Sequence, residues 1–117
     1  MKDDATSFLP LSPATLHILL SLAGDDLHGY AIMQEVARQS QGKYKLGPGT
    51  LYDNLQRLIQ RQWVQELGRR PAGDDPRRRY YSLTSLGRGV LAAETARLAG
   101  VVREARLRLQ MAKPRRA

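Results

Sequence analysis

Between residues 12 and 24 the apolar positions recur at helical spacing, with Leu16, Leu19, Leu20 and Ala23 on one face. Ser12 followed by Pro13 supplies an N-cap and a first helical residue, and Gly24 is placed to end the helix. The stretch DDLH makes a turn into a second helix over about His28–Ser40, with Ile32, Val36 and Met33 facing inward and Gly42 closing it. A third helix begins in KLGPGTLYDNL, where Gly47 is an acceptable N-cap and Pro48 fits the first helical position. It runs to about Gln62. Leu51, Leu55, Leu58 and Ile59 form its apolar face, and Thr50, Asp53, Asn54, Arg57 and Arg61 lie opposite.

The period then changes from helical to alternating. Residues 63–69, WVQELGR, and 78–83, RRYYSL, read as two strands, the second with Tyr81 and Leu83 on one face and Tyr80 on the other. The turn residues RPAGDDP between them make a hairpin whose shoulders carry Arg69, Arg70, Arg77, Arg78 and Arg79. Five arginines around one hairpin tip repel one another unless an anion is brought to them. Thr84 caps a last helix whose stripe of Leu86, Val90, Leu91, Leu98, Val101, Val102, Ala105 and Leu109 spans about seven turns. So small a domain does not cover that stripe with its own core. The excess apolar face asks for a second copy of the chain, through Leu91, Leu98, Val102, Ala105 and Leu109.

Charge sharpens this picture. The chain has 117 residues and a formal net charge of +8, and the charge is uneven. Residues 1–68 hold six bases against seven acids, whereas residues 69–117 hold thirteen bases against four acids. Clustered cations gain by releasing the counterions condensed on a polyphosphate, so the basic half points to a nucleic acid. With no cysteine and only His17 and His28 as imidazoles, neither disulfides nor a structural zinc is expected. No cofactor is expected either. The N-terminal residues lack the apolar core of a signal peptide, and no run is long enough to cross a membrane, so a cytoplasmic protein is expected. Enzymatic chemistry is not expected: the Asp pairs at 3–4, 25–26 and 74–75 sit in turns or tails, and no nucleophile accompanies the histidines.

The order of three helices, strand, charged loop and strand is that of a winged helix-turn-helix. The fold class expected is mainly α with a small β-hairpin wing. The DNA-binding domain is expected over residues 9–83 and a C-terminal dimerisation helix over 84–111, with flexible termini at 1–8 and 112–117. In this arrangement Gly47-Pro48-Gly49 keeps bulk away from the tip of the recognition helix, so that its free N–H groups can approach a phosphate.

The segments LSPATLHILLSLA, LHGYAIMQEV, KLGPGTLYDNLQRL and DDPRRRYYSLTSLGRGVL, in that order over about residues 9–92, resemble the PadR-like family of transcriptional regulators. The combination of HGYAI, GTLY and RRRYY is specific; each alone is weak. The resemblance implies a dimeric repressor or regulator, of the compact branch with a single short C-terminal helix, whose last helix makes most of the dimer. The sequence departs from the family in Trp63-Val64, in its arginine-rich wing, and in lacking a tryptophan in the last helix, where some relatives stack flat ligands.

Chemistry assigns roles on this frame. Thr50 and Tyr52 offer hydroxyls to phosphates near the start of the recognition helix, beside Gly49, and Lys45 offers a flexible charge just before it. Asn54 has the amide that reads adenine, and Arg57 reaches a guanine or a phosphate, with Asp53 as an alternative partner for Arg57 on the same helix. Tyr30 touches the DNA backbone, as the resemblance suggests, or packs in the core. Arg69, Arg70, Arg77, Arg78 and Arg79 add affinity, one of them in the minor groove. The partners expected are double-stranded DNA and a second copy of the chain; a small-molecule effector has a place in the scheme but no identifiable pocket. A basic RNA-binding or protein-interaction winged helix is the alternative, the first with only Tyr80 and Tyr81 for base stacking.

Overall fold

The computed structural model describes residues 5–68 and 73–111. Its order is a short 3-10 helix at Ala5–Phe8, α1 (Pro13–Gly24), β1 (Leu27–His28), α2 (Gly29–Gln39), α3 (Pro48–Gln60), β2 (Val64–Leu67), β3 (Tyr80–Leu83) and α4 (Ser85–Met111). The fold is mainly helical with a small antiparallel sheet, as the hydrophobic pattern requires.

Local chemistry sets most boundaries. The Thr15 N–H donates to Ser12 Oγ at 3.2 Å and opens α1. His28 caps α2, its Nδ1 accepting the Ala31 N–H at 3.3 Å. Gln41 and Gly42 both take positive φ after α2, the glycine at 78° without the steric cost a side chain would bring. Thr84 joins two elements: its hydroxyl donates to the Gln62 carbonyl at 2.6 Å and accepts the Gly87 N–H at 3.0 Å, so the cap of α4 is tied to the end of α3. Gly87 is dictated by packing, since a Cβ there would overlap the Trp63 carbonyl oxygen and lie 2.9 Å from Leu83 Cδ1.

The segment expected as a plain turn at Leu27–His28 is a third strand. It pairs with β3, Leu27 opposite Tyr81 and His28 opposite Tyr80, and gives the sheet order β1-β3-β2. β2 pairs with β3 from Val64 opposite Leu83 to Leu67 opposite Tyr80. Tyr81 and Leu83 face the core beside Ile18, Leu19, Ile32 and Leu51. Burial of each such side chain contributes about 1.5–3 kcal/mol, and this fixes α3 against the sheet.

Two expectations about the ends are corrected. Residues 5–8 are part of the body: the Phe8 ring meets Trp63 edge to face, with centroids 5.0 Å apart. Residues 1–4 and 112–117, expected to be flexible, lie outside the described residues. The first half of α4 also belongs to the body, because Val90 and Leu91 are 1% and 7% exposed in the single chain. Leu91 therefore packs inward and does not face a partner. Residues 101–111 are exposed throughout.

Glu94 pins this arrangement. It is 1% exposed, accepts the Leu11 N–H at 3.1 Å, and pairs with Arg97, whose Nε lies 2.7 Å from its Oε1. The Arg97 hydrogen bond, aided by the Leu11 N–H, holds its carboxyl below the usual range against the opposing effect of burial. The chain just before α1 is thereby fastened to α4.

Candidate nucleic-acid interface

The start of α3 is held by Leu46 and Leu51 in the core, while Gly47, Pro48, Gly49 and Thr50 are exposed. Among the described residues a Cβ on Gly47 or Gly49 would meet nothing within 4 Å, so their packing does not call for glycine at either place. Lys45, Tyr52, Asp53, Gln56, Arg57 and Gln60 are exposed as well, and together they give α3 one continuous polar face.

Asn54 does not belong to that face. It is 7% exposed, and its Nδ2 donates to the Thr50 carbonyl at 2.8 Å. Its position on the helix lies at the edge of the apolar arc made by Leu51, Leu55 and Leu58, and the amide is satisfied there by the preceding turn. Gln56 and Gln60, which reasoning from the sequence passed over, occupy the exposed side instead. The signal was present, since both lie a half-turn away from Leu51, Leu55 and Leu58. Nor does Asp53 hold Arg57: among the described residues Arg57 has no carboxylate partner.

On one flank of α3 a cleft of about 490 Å3 runs between this helix, the N-terminus of α2 and the wing. Tyr30 and Tyr52 border it with Gln56, and Arg77, Arg78 and Arg79 face them from the wing. The two tyrosines are 61% and 47% exposed, so Tyr30 is a surface residue and not a core one. Tyr52 leans over Gly29, the first residue of α2, and His28 stands edge-on to Tyr80 with centroids 5.2 Å apart.

The wing arginines are not left to repel each other. Arg77 pairs with Asp75 at 3.1 Å, Arg78 with Asp74 at 2.9 Å and Arg79 with Glu66 at 3.3 Å. The nearby Tyr80 hydroxyl is the main influence holding the Asp74 carboxyl below its usual range, and the same proximity raises the Tyr80 phenol. The pairs of Arg77 and Arg79, whose carboxylates are 34% and 41% exposed, contribute about 0–1 kcal/mol each, so a phosphate can replace those two carboxylates at little cost, whereas Asp74 is 12% exposed and holds Arg78 more firmly. Arg69 and Arg70 lie outside the described residues.

Comparison with known proteins places this geometry. Residues 18–93 match the model of the Transcriptional regulator PadR-like family. The transcriptional regulator Rv3488 of Mycobacterium tuberculosis is 34% identical over 89 residues, which are 76% of this chain and 78% of that protein. An uncharacterised 37.1 kDa protein in transposon TN4556 of Streptomyces fradiae is 40% identical over 94 residues, 78% of this chain; the match spans only 25% of that protein. Among solved structures, a PadR family transcription regulator from Clostridium difficile superposes with a TM-score of 0.70 at 21% identity, over 84% of this chain and 99% of that one. Bacillus subtilis PadR in complex with operator DNA superposes with a TM-score of 0.61 at 20% identity, over 72% of this chain and 46% of that one.

Proposed function

We propose that this chain, which belongs to the PadR-like family of transcriptional regulators, is a cytoplasmic repressor that binds an inverted-repeat operator as a homodimer. It acts by binding and carries out no chemistry. The observation that carries this reading is the exposed polar face of α3, bordered across one cleft by three wing arginines. A helix of this kind fits the major groove, and the wing then meets the flanking phosphates. Binding of operator DNA by Bacillus subtilis PadR, which has the same fold, supports the same partner here.

Gln56 and Arg57 are the residues we assign to base edges, because each carries an exposed group capable of a bidentate contact. Thr50, Tyr52 and Tyr30 offer hydroxyls to the sugar-phosphate chain, Gly49 allows its close approach, and Lys45 with Arg77, Arg78 and Arg79 supplies charge. Leu98, Val102, Ala105 and Leu109 are assigned to the two-fold seam.

The test is selection of bound duplexes from a random pool, followed by alanine variants on the selected site. Gln56→Ala and Arg57→Ala should each cost about 1–3 kcal/mol and relax the preference at one base pair. Asn54→Ala should leave base preference unchanged, since its amide is turned inward. Full affinity and selectivity in both Gln56→Ala and Arg57→Ala would remove α3 as the reader.

A further inference from the structure

The flank of α3 away from the wing borders a second recess, of about 350 Å3, shared with the segment that enters α1. Its lining includes Arg57 of α3, Arg61 at the helix C-cap one turn later, and the hydroxyls of Ser12 and Thr15. The Phe8 and Trp63 rings meet there at 85°, and the Arg61 guanidinium lies over both. It stands 5.1 Å from the Phe8 centroid and 5.2 Å from the Trp63 centroid. Held in that corner, a guanidinium keeps its N–H edge free and loses little freedom when an anion arrives. Among the described residues the lining holds no carboxylate, and neither Arg57 nor Arg61 is paired with one. The wing differs, since Arg77, Arg78 and Arg79 each hold a carboxylate of the chain. Thr15 Oγ1 accepts the Ser12 hydroxyl at 3.1 Å and keeps its own proton to donate. The N-terminus of α1 adds the positive end of a helix dipole at the same place.

We propose that Arg61 and Thr15 seat a phosphodiester of the duplex in this recess, across the major groove from the phosphates that the wing meets. The inference deepens the reading of α3 given above and rests on it. A helix with its side chains is about 10–12 Å across and the major groove about 12 Å wide, so a sugar-phosphate chain runs along each flank. Tyr30 and the wing arginines stand on one flank of α3, and Arg61 and Thr15 on the other. The chain thus grips both walls of the groove. The phosphate oxygens accept the Arg61 N–H edge and the Thr15 hydroxyl proton, and Arg57 remains free for a base edge. No carboxylate of the lining has to be displaced.

The test uses the full chain and a duplex selected from a random pool, with neutral methylphosphonate replacing one phosphate at a time on both strands. Wild type should lose about tenfold in affinity at one phosphate per half-site that the alanine variant of Arg77, Arg78 and Arg79 still senses. Arg61→Gln should lose about tenfold on the unmodified duplex, keep its base preference, and show no further loss at that phosphate. Its salt slope should flatten by about 0.9. Thr15→Val, which removes only a hydroxyl, should lose a smaller factor and be blunted at the same phosphate. Full affinity in Arg61→Gln, or losses that add at every phosphate in both variants, overturns the site and leaves α3 as the reader. A second arm separates DNA from free phosphate. Trp63 is the chain's single tryptophan, so its fluorescence reports the ring under Arg61. Millimolar inorganic phosphate should leave that fluorescence unchanged. A saturable response that disappears in Arg61→Gln would make this a site for free phosphate and overturn the DNA assignment. A wild-type chain that binds no duplex overturns the proposed function, and this site with it.

Discussion

The Tyr52 ring of α3 lies so close over Gly29 that a Cβ there would stand 2.8 Å from its Cζ and nearer still to its hydroxyl. The first residue of α2 and the second turn of α3 are therefore matched in size. Gly29→Ala should push the half-exposed tyrosine out toward the cleft instead of unfolding the chain. Its stability should change by less than about 1 kcal/mol, while DNA affinity falls by at least that amount. In a Tyr52→Ala background the same change should have no further effect on affinity, a coupling that a double-mutant cycle measures directly. Additive losses would separate the two residues.

Gly49 gives a test in which stability and function move in opposite directions. A Cβ at this position meets nothing within 4 Å among the described residues, and alanine is favoured over glycine inside a helix by up to about 1 kcal/mol. Gly49→Ala should raise the melting temperature and weaken operator binding. A variant that is more stable and binds fully would show that nothing approaches the start of α3 closely.

In the wing, a DNA phosphate would compete with carboxylates that the chain already supplies. Changing Arg77, Arg78 and Arg79 together to alanine should weaken specific and non-specific binding alike. The slope of log K against log salt should flatten by about 0.9 for each phosphate that the variant no longer neutralises. Glu66→Gln should act the other way, freeing Arg79 and strengthening non-specific binding. An unchanged salt slope in a folded triple variant removes the wing from the DNA.

What the sequence made legible follows the range of the forces involved. Caps act within one turn, so Ser12, Gly47 and Thr84 marked the starts of three helices, and the apolar spacing of Leu51, Leu55 and Leu58 gave the inner face of α3. β1 escaped because two residues carry no period; Leu27 and His28 become a strand only when β3 is beside them. Asn54 was misplaced because it lies at the border of the apolar arc, where a bond to the Thr50 carbonyl decides the outcome. The inward turn of Leu91 and the burial of Glu94 depend on α1 and on the segment before it, which are distant in sequence. The docking of residues 5–8 on the body needed Phe8 against Trp63, a pairing with no local signature.

Glu94 makes acid stability a readout of the α4 anchor. Its folded pKa lies below the unfolded value of about 4.3, so below that pH the unfolded chain binds more protons and the pair's contribution fades. The contribution is present above about pH 4.3 and is lost as pH falls through the lower folded pKa. Glu94→Gln should destabilise the chain at neutral pH by about 1–3 kcal/mol, since the part-buried Leu11 N–H and Arg97 lose a charged acceptor. Glu35 and Asp74 are also held low and contribute to the acid limb, each mainly through one partner, Arg38 and Tyr80. Denaturant melts at pH 7 and near pH 3 should therefore differ less in Glu94→Gln than in wild type. Equal pH dependence in the two proteins would contradict the anchor.

The seam between two copies is best tested where α4 leaves the body. Val102 and Leu109 are 46% and 79% exposed in the single chain, and they continue with Leu98 and Ala105 at spacings of four, three and four residues. That is the repeat by which two helices pack along a shared stripe. Covering a leucine contributes about 1.5–3 kcal/mol, so a few per protomer suffice to hold a micromolar dimer. Two recognition helices related by the resulting two-fold axis would read half-sites about one helical turn apart, and this is why an inverted repeat is expected. Leu98→Asp places an unpaired carboxylate at the seam and should give a folded monomer that binds DNA weakly. Leu91→Asp should behave differently: because Leu91 packs inside the single chain, that variant should unfold instead of dissociating. Sedimentation at micromolar concentration with a parallel thermal melt separates the two outcomes. A Leu98→Asp protein that remains dimeric with full operator affinity, or a wild-type monomer under the same conditions, would move the interface away from this stripe.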